Sequence, residues 1–556
     1  MTIGEKIARL RSYNCGKQSM SQEELADILN VSRQSVSKWE MNQASPRIEN
    51  VLEICRLFSV STDDLLRDDL PLPGGKEEKS TADGRAGRSL HYFGTDGFRG
   101  EAGAVLTSEQ AFKVGRFLGW YYTSPLANKA TAGSVVDRNY RPGIVIGKDT
   151  RRSSYTLEYA IASGVTASGA DVYMLHVTTT PSVSYVTRHD NFDCGIMISA
   201  SHNPYFDNGI KLVNQYGEKM DDETLLLIEA YLDGNLDELG ISDPDLPLAT
   251  REKIGAIIDH VAGRNRYIGY LISLAAHSYR ELKIGLDCAN GASWMIAPSV
   301  FEALGAKTYV IGAQPDGQNI NRDIGSTHIE TLKKFVRDNN LDLGFAFDGD
   351  ADRCIAVDEK GNEVNGDHIL YILGNRLKRL NNLSGNTVVP TFMSNAGLFK
   401  ALDKAGIKSV QAKVGDRYIW EVMREKGYSL GGEQSGHIII QKYATTGDGI
   451  LTAIMLTEEV LDRKMPLSAL AAPVQIFPQV LRSIKVRSKP EVAADPDIKA
   501  SIASISEELG ADGRILLRES GTEPVVRVMC EGTDVQKCTE YVDSVIDLII
   551  KKGYSI

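Results

Sequence analysis

Gly195-Ile-Met-Ile-Ser-Ala-Ser-His-Asn-Pro204 runs from a short apolar segment straight into a turn that offers a hydroxyl at Ser201. A compact apolar run of this length, ended by small and polar residues, reads as a buried strand that delivers a loop. The same grammar returns at residues 341–347, which close on Asp348-Gly-Asp-Ala-Asp-Arg353. One loop carries a nucleophilic oxygen and the other carries three carboxylates within five residues. Together they suggest a serine that holds phosphate beside a divalent cation. A phosphoserine of about −1.5 to −2 charge next to three ionised carboxylates would otherwise repel them strongly.

Outward from these two loops, strand-length apolar runs recur at 143–147, 282–287 and 308–312. Helical patterns at 110–122, 157–167, 296–304 and 329–339 separate them. Near-continuous apolar strands alternating with helices predict multidomain α/β architecture on parallel or mixed sheets. The recurring βα pattern leaves room for a hidden domain duplication. The final stretch, with strands at 514–518 and 525–529 and a helix over 535–551, reads as a smaller α+β unit. Residues 123–142 interrupt the alternation and read as a mobile surface loop.

At 556 residues and 42% hydrophobic content the chain exceeds a single core. A formal charge of −11 excludes a protein-wide basic surface, so any nucleic-acid contact must be local. The seven scattered cysteines contain no Cys-x-x-Cys pair, which fits a reducing cytosol. Residues 1–20 are not signal-like and no apolar stretch is long enough to span a bilayer, so a cytoplasmic protein without membrane contact is expected.

The first 69 residues differ in kind. Ser21-Gln-Glu-Glu24 and Ser61-Thr-Asp-Asp64 are helix-start signatures. Between them, helices over 23–29 and 33–40 are joined by Asn30-Val-Ser32, the spacing of a helix-turn-helix. Val36 and Trp39 would pack against Leu25 and Leu29. Arg33, Gln34, Ser37 and Lys38 would then face outward, where such side chains bond phosphates and base edges. The segment resembles the lambda-repressor-like (XRE-type) DNA-binding family, which implies a DNA contact through those four residues. A small helical bundle for protein contacts is the plainer alternative, since acidic residues offset the basic ones. Residues 70–90, rich in Pro, Gly, Ser and charges, read as a flexible linker.

Each loop has a plainer reading as well. A serine after a strand is commonly an ordinary turn residue, and this one is not in a Gly-x-Ser-x-Gly elbow. Its neighbours Asp207-Asn-Gly209 and Lys211 strengthen the case, because the lysine could return across a turn to stabilise phosphoryl charge. The Asp triplet, with Glu359 at position twelve, has EF-hand spacing, but Arg353 stands where the sharp-turn glycine belongs and the flanks read as strands. A compact all-oxygen site suits Mg²⁺ better. Gly431-Gly-Glu-Gln-Ser-Gly-His437 suits sugar hydroxyls. Arg518-Glu-Ser-Gly-Thr-Glu-Pro524, with Arg527, has the chemistry of a phosphate loop.

Five segments, Tyr92-Phe-Gly-Thr-Asp-Gly-Phe-Arg-Gly100, 198–211, 347–353, 431–437 and 518–527, occur in the order and spacing of the α-D-phosphohexomutases. The resemblance spans about 90–556 and is nearest the bacterial phosphoglucosamine mutase branch, through 287–293, 316–328, 414–418 and Gln434. Ile324 and Phe98 depart from the usual cysteine and isoleucine.

The resemblance implies four mutase domains after the helix-turn-helix, three α/β and one α+β. They cover 91–252 (phosphoserine), 253–360 (metal loop), 361–476 (sugar loop) and 477–556 (phosphate loop). It further implies that Ser201 carries the phosphoryl group and joins Asp348, Asp350 and Asp352 in holding Mg²⁺. Arg99, Lys211 and Arg353 would steady the transferring group, with His202 beside it and His437 available for proton transfer. Glu433 and Ser435 would bind sugar hydroxyls. Arg518, Ser520, Gly521, Thr522 and Arg527 would anchor the phosphate that is not reacting.

The implied activity is interconversion of glucosamine 6-phosphate and glucosamine 1-phosphate through a bisphosphorylated intermediate. Two alternatives are a regulator whose mutase-like part senses sugar phosphate, and a mutase for glucose or mannose phosphate. The oligomeric state stays open.

Overall fold

The computed structural model describes residues 6–7, 10–11, 22–29, 31–40, 44, 46–58, 90–124, 141–510, 513–519 and 525–556. The expected capping serines Ser21 and Ser61, the linker over 70–89, the body of the loop over 125–140, and Ser520, Gly521 and Thr522 lie outside the described residues. The chain divides into a unit over Met1–Ser89 and a second over Leu90–Ile556.

In the first unit, helices Gln22–Ile28 and Arg33–Glu40 lie close to their expected positions, followed by Ile48–Phe58. Leu25, Leu29, Val36 and Trp39 are buried together with Ile7, Val51 and Ile54, as the helical spacing of apolar residues requires. Arg33, Gln34 and Lys38 are exposed and Ser37 is half-buried.

The second unit holds four sheets. The first contains β1 (Phe93–Gly94), β2 (Gly97–Glu101), β3 (Gly143–Lys148), β4 (Asp171–Val177), β5 (Cys194–Ile198), β6 (Asp207–Asn214) and β7 (Ile257–Asp259), in the order β1-β2-β6-β5-β3-β4-β7. The second has β8 (Lys283–Asp287), β9 (Lys307–Ile311), β10 (Leu343–Phe347), β11 (Cys354–Asp358) and β12 (Glu363–Val364), ordered β12-β11-β10-β8-β9. The third has β13 (Thr387–Pro390), β14 (Lys408–Ser409), β15 (Leu430–Gly432) and β16 (Ile438–Ile440), ordered β14-β13-β15-β16. The fourth is antiparallel, β17-β19-β18, from Gln479–Lys485, Val525–Gly532 and Gly513–Glu519.

One arrangement repeats in the first three sheets. β5, β10 and β15 each pair in parallel with an inner strand and antiparallel with the strand that follows them. The duplication that the βα rhythm left room for is therefore a threefold repeat of topology. Its consequence is functional: the Ser201 turn, the Asp loop and the sugar loop are the same hairpin in three domains. Each leaves the carboxyl end of a buried parallel strand, where α/β sheets place their sites.

Burial explains the strands. All five residues of β5 and of β10 are buried, and Phe345 and Phe347 are 0% exposed. Each such ring contributes about 1.5–3 kcal/mol relative to an exposed one. Helix Ser108–Thr123 starts in a Thr107–Gln110 capping box, worth about 0.5–2 kcal/mol at its first residue. It packs backbone to backbone on helix Arg152–Ala167, where a Cβ on Gly115 would come within 2.2 Å of the Ile161 oxygen.

Two expectations shift. β7 lies beyond the expected boundary at 252 yet pairs with β4 of the first sheet, because its register with residues 172–174 completes that edge. The C-terminal unit has a third strand, β17, and helices Lys489–Ala494 and Pro496–Leu509 ahead of the two expected strands. β17 is exposed at five of its seven residues, with only Val480 and Ile484 half-buried, so it lacks the apolar run that marked the others.

Candidate active site

Ser201 sits in the β5–β6 turn, 1% exposed, with φ of +52°. That left-handed backbone is costly for a residue with a Cβ and is typical of strained functional turns. Its Oγ donates to Asp348 Oδ2 at 2.5 Å and lies 3.4 Å from His202 Nδ1. Gly349 must lack a side chain here, since a Cβ would stand 2.4 Å from the Ser201 carbonyl oxygen. The serine turn and the Asp loop are therefore in direct contact.

Asp348, Asp350 and Asp352 are all buried, and their ligand oxygens lie within 4.8 Å of one another. Lys211, on β6, returns as its spacing suggested and donates to Asp350 Oδ2 at 2.5 Å and Asp352 Oδ2 at 3.0 Å. Thr180, at the start of helix Thr180–His189, donates its hydroxyl to Asp350 Oδ2 and its N–H to the Asp350 carbonyl at 3.0 Å. Oδ1 of both Asp350 and Asp352 is buried without a hydrogen-bond partner. Burial, then Asp352 and Asp350, push Asp348 up to about 8. Burial would raise Asp352 too, but Lys211, His437 and Arg353 hold it well below the usual carboxylate range. Orphaned oxygens and a carboxyl driven to protonation are what an all-oxygen divalent-cation site looks like without its charge. The donor set fits a hard divalent cation.

The Arg353 backbone N–H donates to Asp348 Oδ1 at 3.2 Å, and its Nη1 donates to His202 Nδ1 at 3.1 Å. Arg99, on β2, pairs with Asp96 at 3.4 Å. Nε of both arginines is buried and unpartnered. Burial, Arg353 and Arg99 lower His202 to about 4, so the ring is neutral. Both guanidiniums bear on His202, the neighbour of the Ser201 hydroxyl, and each can bond an anion.

The Gly431–His437 loop packs on the Asp loop: Cys354 N–H donates to the Gly436 carbonyl at 3.0 Å, and residues 353 and 437 form a bridge. Glu433 Oε1 accepts from Gly415 N–H at 2.9 Å, and Ser435, exposed, lies 3.4 Å from Glu433 Oε2. His437 is 3% exposed, lying 3.7 Å from Asp352 and 3.4 Å from Asp416 while its Nε2 accepts from Gly447 N–H at 3.0 Å. Asp416 also takes Lys219 Nζ at 2.5 Å, and Lys219 reaches Asp96 at 3.1 Å. These last residues border about 600 Å³ of empty space together with Lys211 and Asp352. Arg518 and Arg527 stand directly opposite each other, one pair from the end of the β18–β19 hairpin that the connecting loop joins.

Sequence reasoning missed Thr180, Lys219, Asp149, Arg151 and Asn321. Asp149 and Arg151 stand in the charged run Lys148-Asp-Thr-Arg-Arg152 and Asn321 in the stretch 316–328, but nothing in their spacing points to the serine turn; Thr180, before Pro181, follows the helix cap Thr179.

Four family descriptions match in order. Phosphoglucomutase/phosphomannomutase alpha/beta/alpha domains I, II and III match residues 90–238, 265–361 and 365–477, and the C-terminal domain matches 482–548. A helix-turn-helix family matches residues 10–65. The chain is 58% identical to the phosphoglucosamine mutase of Lachnospira eligens over 84% of its own length and 99% of the relative's. It is 46% identical to that of Bacillus subtilis, over 82% and 98%.

Among solved structures, a phosphoglucomutase/phosphomannomutase family protein from Burkholderia thailandensis superposes with a TM-score of 0.67 at 22% identity, covering 83% of this chain and 98% of that one. The Aspergillus fumigatus N-acetylphosphoglucosamine mutase, in complex with GlcNAc-6P and magnesium, gives 0.58 at 17%, over 83% and 96%. At these identities the two structures share the fold. With four consecutive domain matches and near full-length relatives at this level of identity, the chain belongs to the phosphoglucosamine mutases of the phosphoglucomutase/phosphomannomutase family.

Proposed function

We propose that the chain interconverts glucosamine 6-phosphate and glucosamine 1-phosphate, with Ser201 as the phosphoryl carrier. The observation that carries this reading is the 2.5 Å contact between Ser201 Oγ and an acidic cluster with orphaned oxygens. Asp348, Asp350 and Asp352, with an oxygen of the phosphorylated Ser201, would hold Mg²⁺, which would offset the charge of the phosphoryl group.

Phosphoserine 201 gives its phosphoryl group to the free hydroxyl of the sugar phosphate; the serine P–O bond breaks as the sugar P–O bond forms. The resulting bisphosphate turns over and returns its other phosphoryl group to Ser201. Arg99 and Arg353 each keep a buried, unpartnered Nε donor, and Lys211 bonds Asp350 and Asp352 and holds them in place. Such transfers depend on positioning and charge compensation, which these residues supply. Neutral His202 orients Arg353 through Nδ1. Glu433 and Ser435 bind sugar hydroxyls, and His437, buried under Asp352, is read as the proton-transfer candidate.

Arg518 and Arg527 are read, with Ser520, Gly521 and Thr522, as the anchor for the phosphate that is not reacting. The domain limits are read as 1–69, 70–90, 91–252, 253–360, 361–476 and 477–556, except that β7, which pairs with β4, moves the end of the first mutase domain past Asp259. We place the reaction in a reducing cytosol, in keeping with the buried free thiols of Cys194, Cys288, Cys354, Cys530 and Cys538 among the described residues. No described helix is long and apolar enough to cross a membrane.

A coupled assay with Ser201→Ala tests the carrier: turnover at the wild-type rate by that variant would refute it. Rates on glucosamine, glucose and mannose 6-phosphates set the sugar preference.

The first unit is read as a DNA-binding module through Arg33, Gln34, Ser37 and Lys38, supported by the helix-turn-helix match and the exposure of that helix face. Salt-dependent retention on duplex DNA is the expected result, and no retention at low salt would remove the reading.

A further inference from the structure

The Ser201 turn rests on three polar side chains to which the sequence reading gave no role. Asp149 and Arg151 follow β3; both are fully buried and paired, Arg151 Nε to Asp149 Oδ2 at 2.8 Å. Asn321 comes from the second sheet's domain and is 7% exposed. Arg151 Nη2 donates to the carbonyls of Ser201 and Asn203, both at 2.9 Å, and Nη1 donates to the Pro204 carbonyl. Asn321 Nδ2 donates to the same Ser201 and Asn203 carbonyls at 2.9 and 3.1 Å. On the other side of the nucleophile, Ser201 N–H donates to Ser199 Oγ at 3.0 Å, and that hydroxyl donates to Asp149 Oδ2 at 2.7 Å. Both peptide groups flanking Ser201 are thus held by one buried ion pair and one amide.

The nitrogens of Arg151 are each engaged with Asp149 or a turn carbonyl, so none is aimed at a ligand. Its charge is balanced by Asp149 beneath the turn. Without such partners, a serine at φ of +52° would relax toward ordinary backbone. Because Gly349 packs against the same Ser201 carbonyl, relaxation would also shift Oγ from Asp348.

We propose that Arg151 and Asn321 are positioning residues for phosphoryl transfer, holding the Ser201 carbonyl so that Oγ stays in register with the Asp loop. Asn321 makes the clamp span two domains, so the nucleophile is set only when the serine domain and the metal-loop domain are docked. The inference rests on the reading of Ser201 as the phosphoryl carrier.

The test uses the full chain with Asn321→Ala, Asn321→Asp, Arg151→Lys and, as control, Ser201→Ala. Steady-state kcat and KM on glucosamine 6-phosphate, thermal unfolding, and phosphoserine formation by intact mass after exposure to a hexose 1,6-bisphosphate are recorded. Displacing a reacting atom by an ångström costs on the order of a hundredfold. Asn321→Ala is therefore expected to lower kcat about ten- to a hundredfold, with KM and unfolding temperature close to wild type and phosphoserine formation slowed in parallel. Asn321→Asp, equal in size but repelling the carbonyl, is expected to be worse than alanine. Arg151→Lys, which keeps charge but loses the fork, is expected to resemble Asn321→Ala.

Wild-type kcat in both Asn321 variants, or a loss confined to KM, would overturn the proposal even if Arg151→Lys failed to fold. If Ser201→Ala is inactive and wild type gains one phosphoryl group while the Asn321 variants behave normally, only the clamp fails. If Ser201→Ala turns over, the carrier reading itself fails.

Discussion

Replacing Lys211 with methionine keeps the length of the side chain and removes the one ammonium that bonds two carboxylates of the Asp loop. Lys211 lies 2.5 Å from Asp350 and 3.0 Å from Asp352, with 7% and 9% side-chain exposure on Lys211 and Asp352 and none on Asp350. Breaking a buried pair from one side leaves charge uncompensated and costs about 3–5 kcal/mol. Expressed as local opening, that is about two to nearly four powers of ten in hydrogen exchange.

The assay is exchange of the backbone amides over 349–354, read by mass spectrometry in chelator and in Mg²⁺. Lys211→Met is expected to exchange faster by that factor in chelator. Mg²⁺ at about a hundred times its dissociation constant would return about 2.7 kcal/mol and close most of the gap. Adding Asp350→Asn removes the stranded partner, so the double variant is expected to exchange more slowly than Lys211→Met. Wild-type exchange in the single variant, or no recovery in the double, would refute the view that Lys211 compensates this cluster.

Three further outcomes follow from the same geometry. Gly349→Ala places a Cβ 2.4 Å from the Ser201 carbonyl; overpacking of about 1–3 kcal/mol and a more than tenfold loss of kcat are expected from denaturant titration and the coupled assay. Asp348 without a cation is raised to about 8, so near pH 7 it keeps its proton in the folded protein but not in the unfolded chain. The cation-free site is therefore favoured at low pH and loses stability as pH rises from about 4 toward 8. Mg²⁺ binding at pH 7 is expected to release about one proton and to tighten as pH rises toward 8, measured by calorimetry in buffers of different ionisation enthalpy.

The strand cores and the two reactive loops were legible because each is a local signal. Residues 194–198 and 343–347 are apolar without interruption, and Ser201 and the Asp triplet lie where those runs end. Helix Val535–Lys551 has the bounds its periodicity predicts. β17 was not legible, since its half-exposed face carries no apolar run, and β7 is too short to show a period.

By itself, the chain's order of residues determined where the candidate groups stand: the hydroxyl of Ser201, three carboxylates, and the arginines and lysine of the same and neighbouring loops. Tertiary structure alone decided that three hairpins of like topology meet, so that Ser201 Oγ touches Asp348 across 147 positions of sequence. It also decided that Arg151 and Asn321 hold the serine from below. Local periodicity records what a segment buries, whereas a hydrogen bond between distant turns depends on sheet pairing and domain docking, which leave no trace in the spacing of either turn.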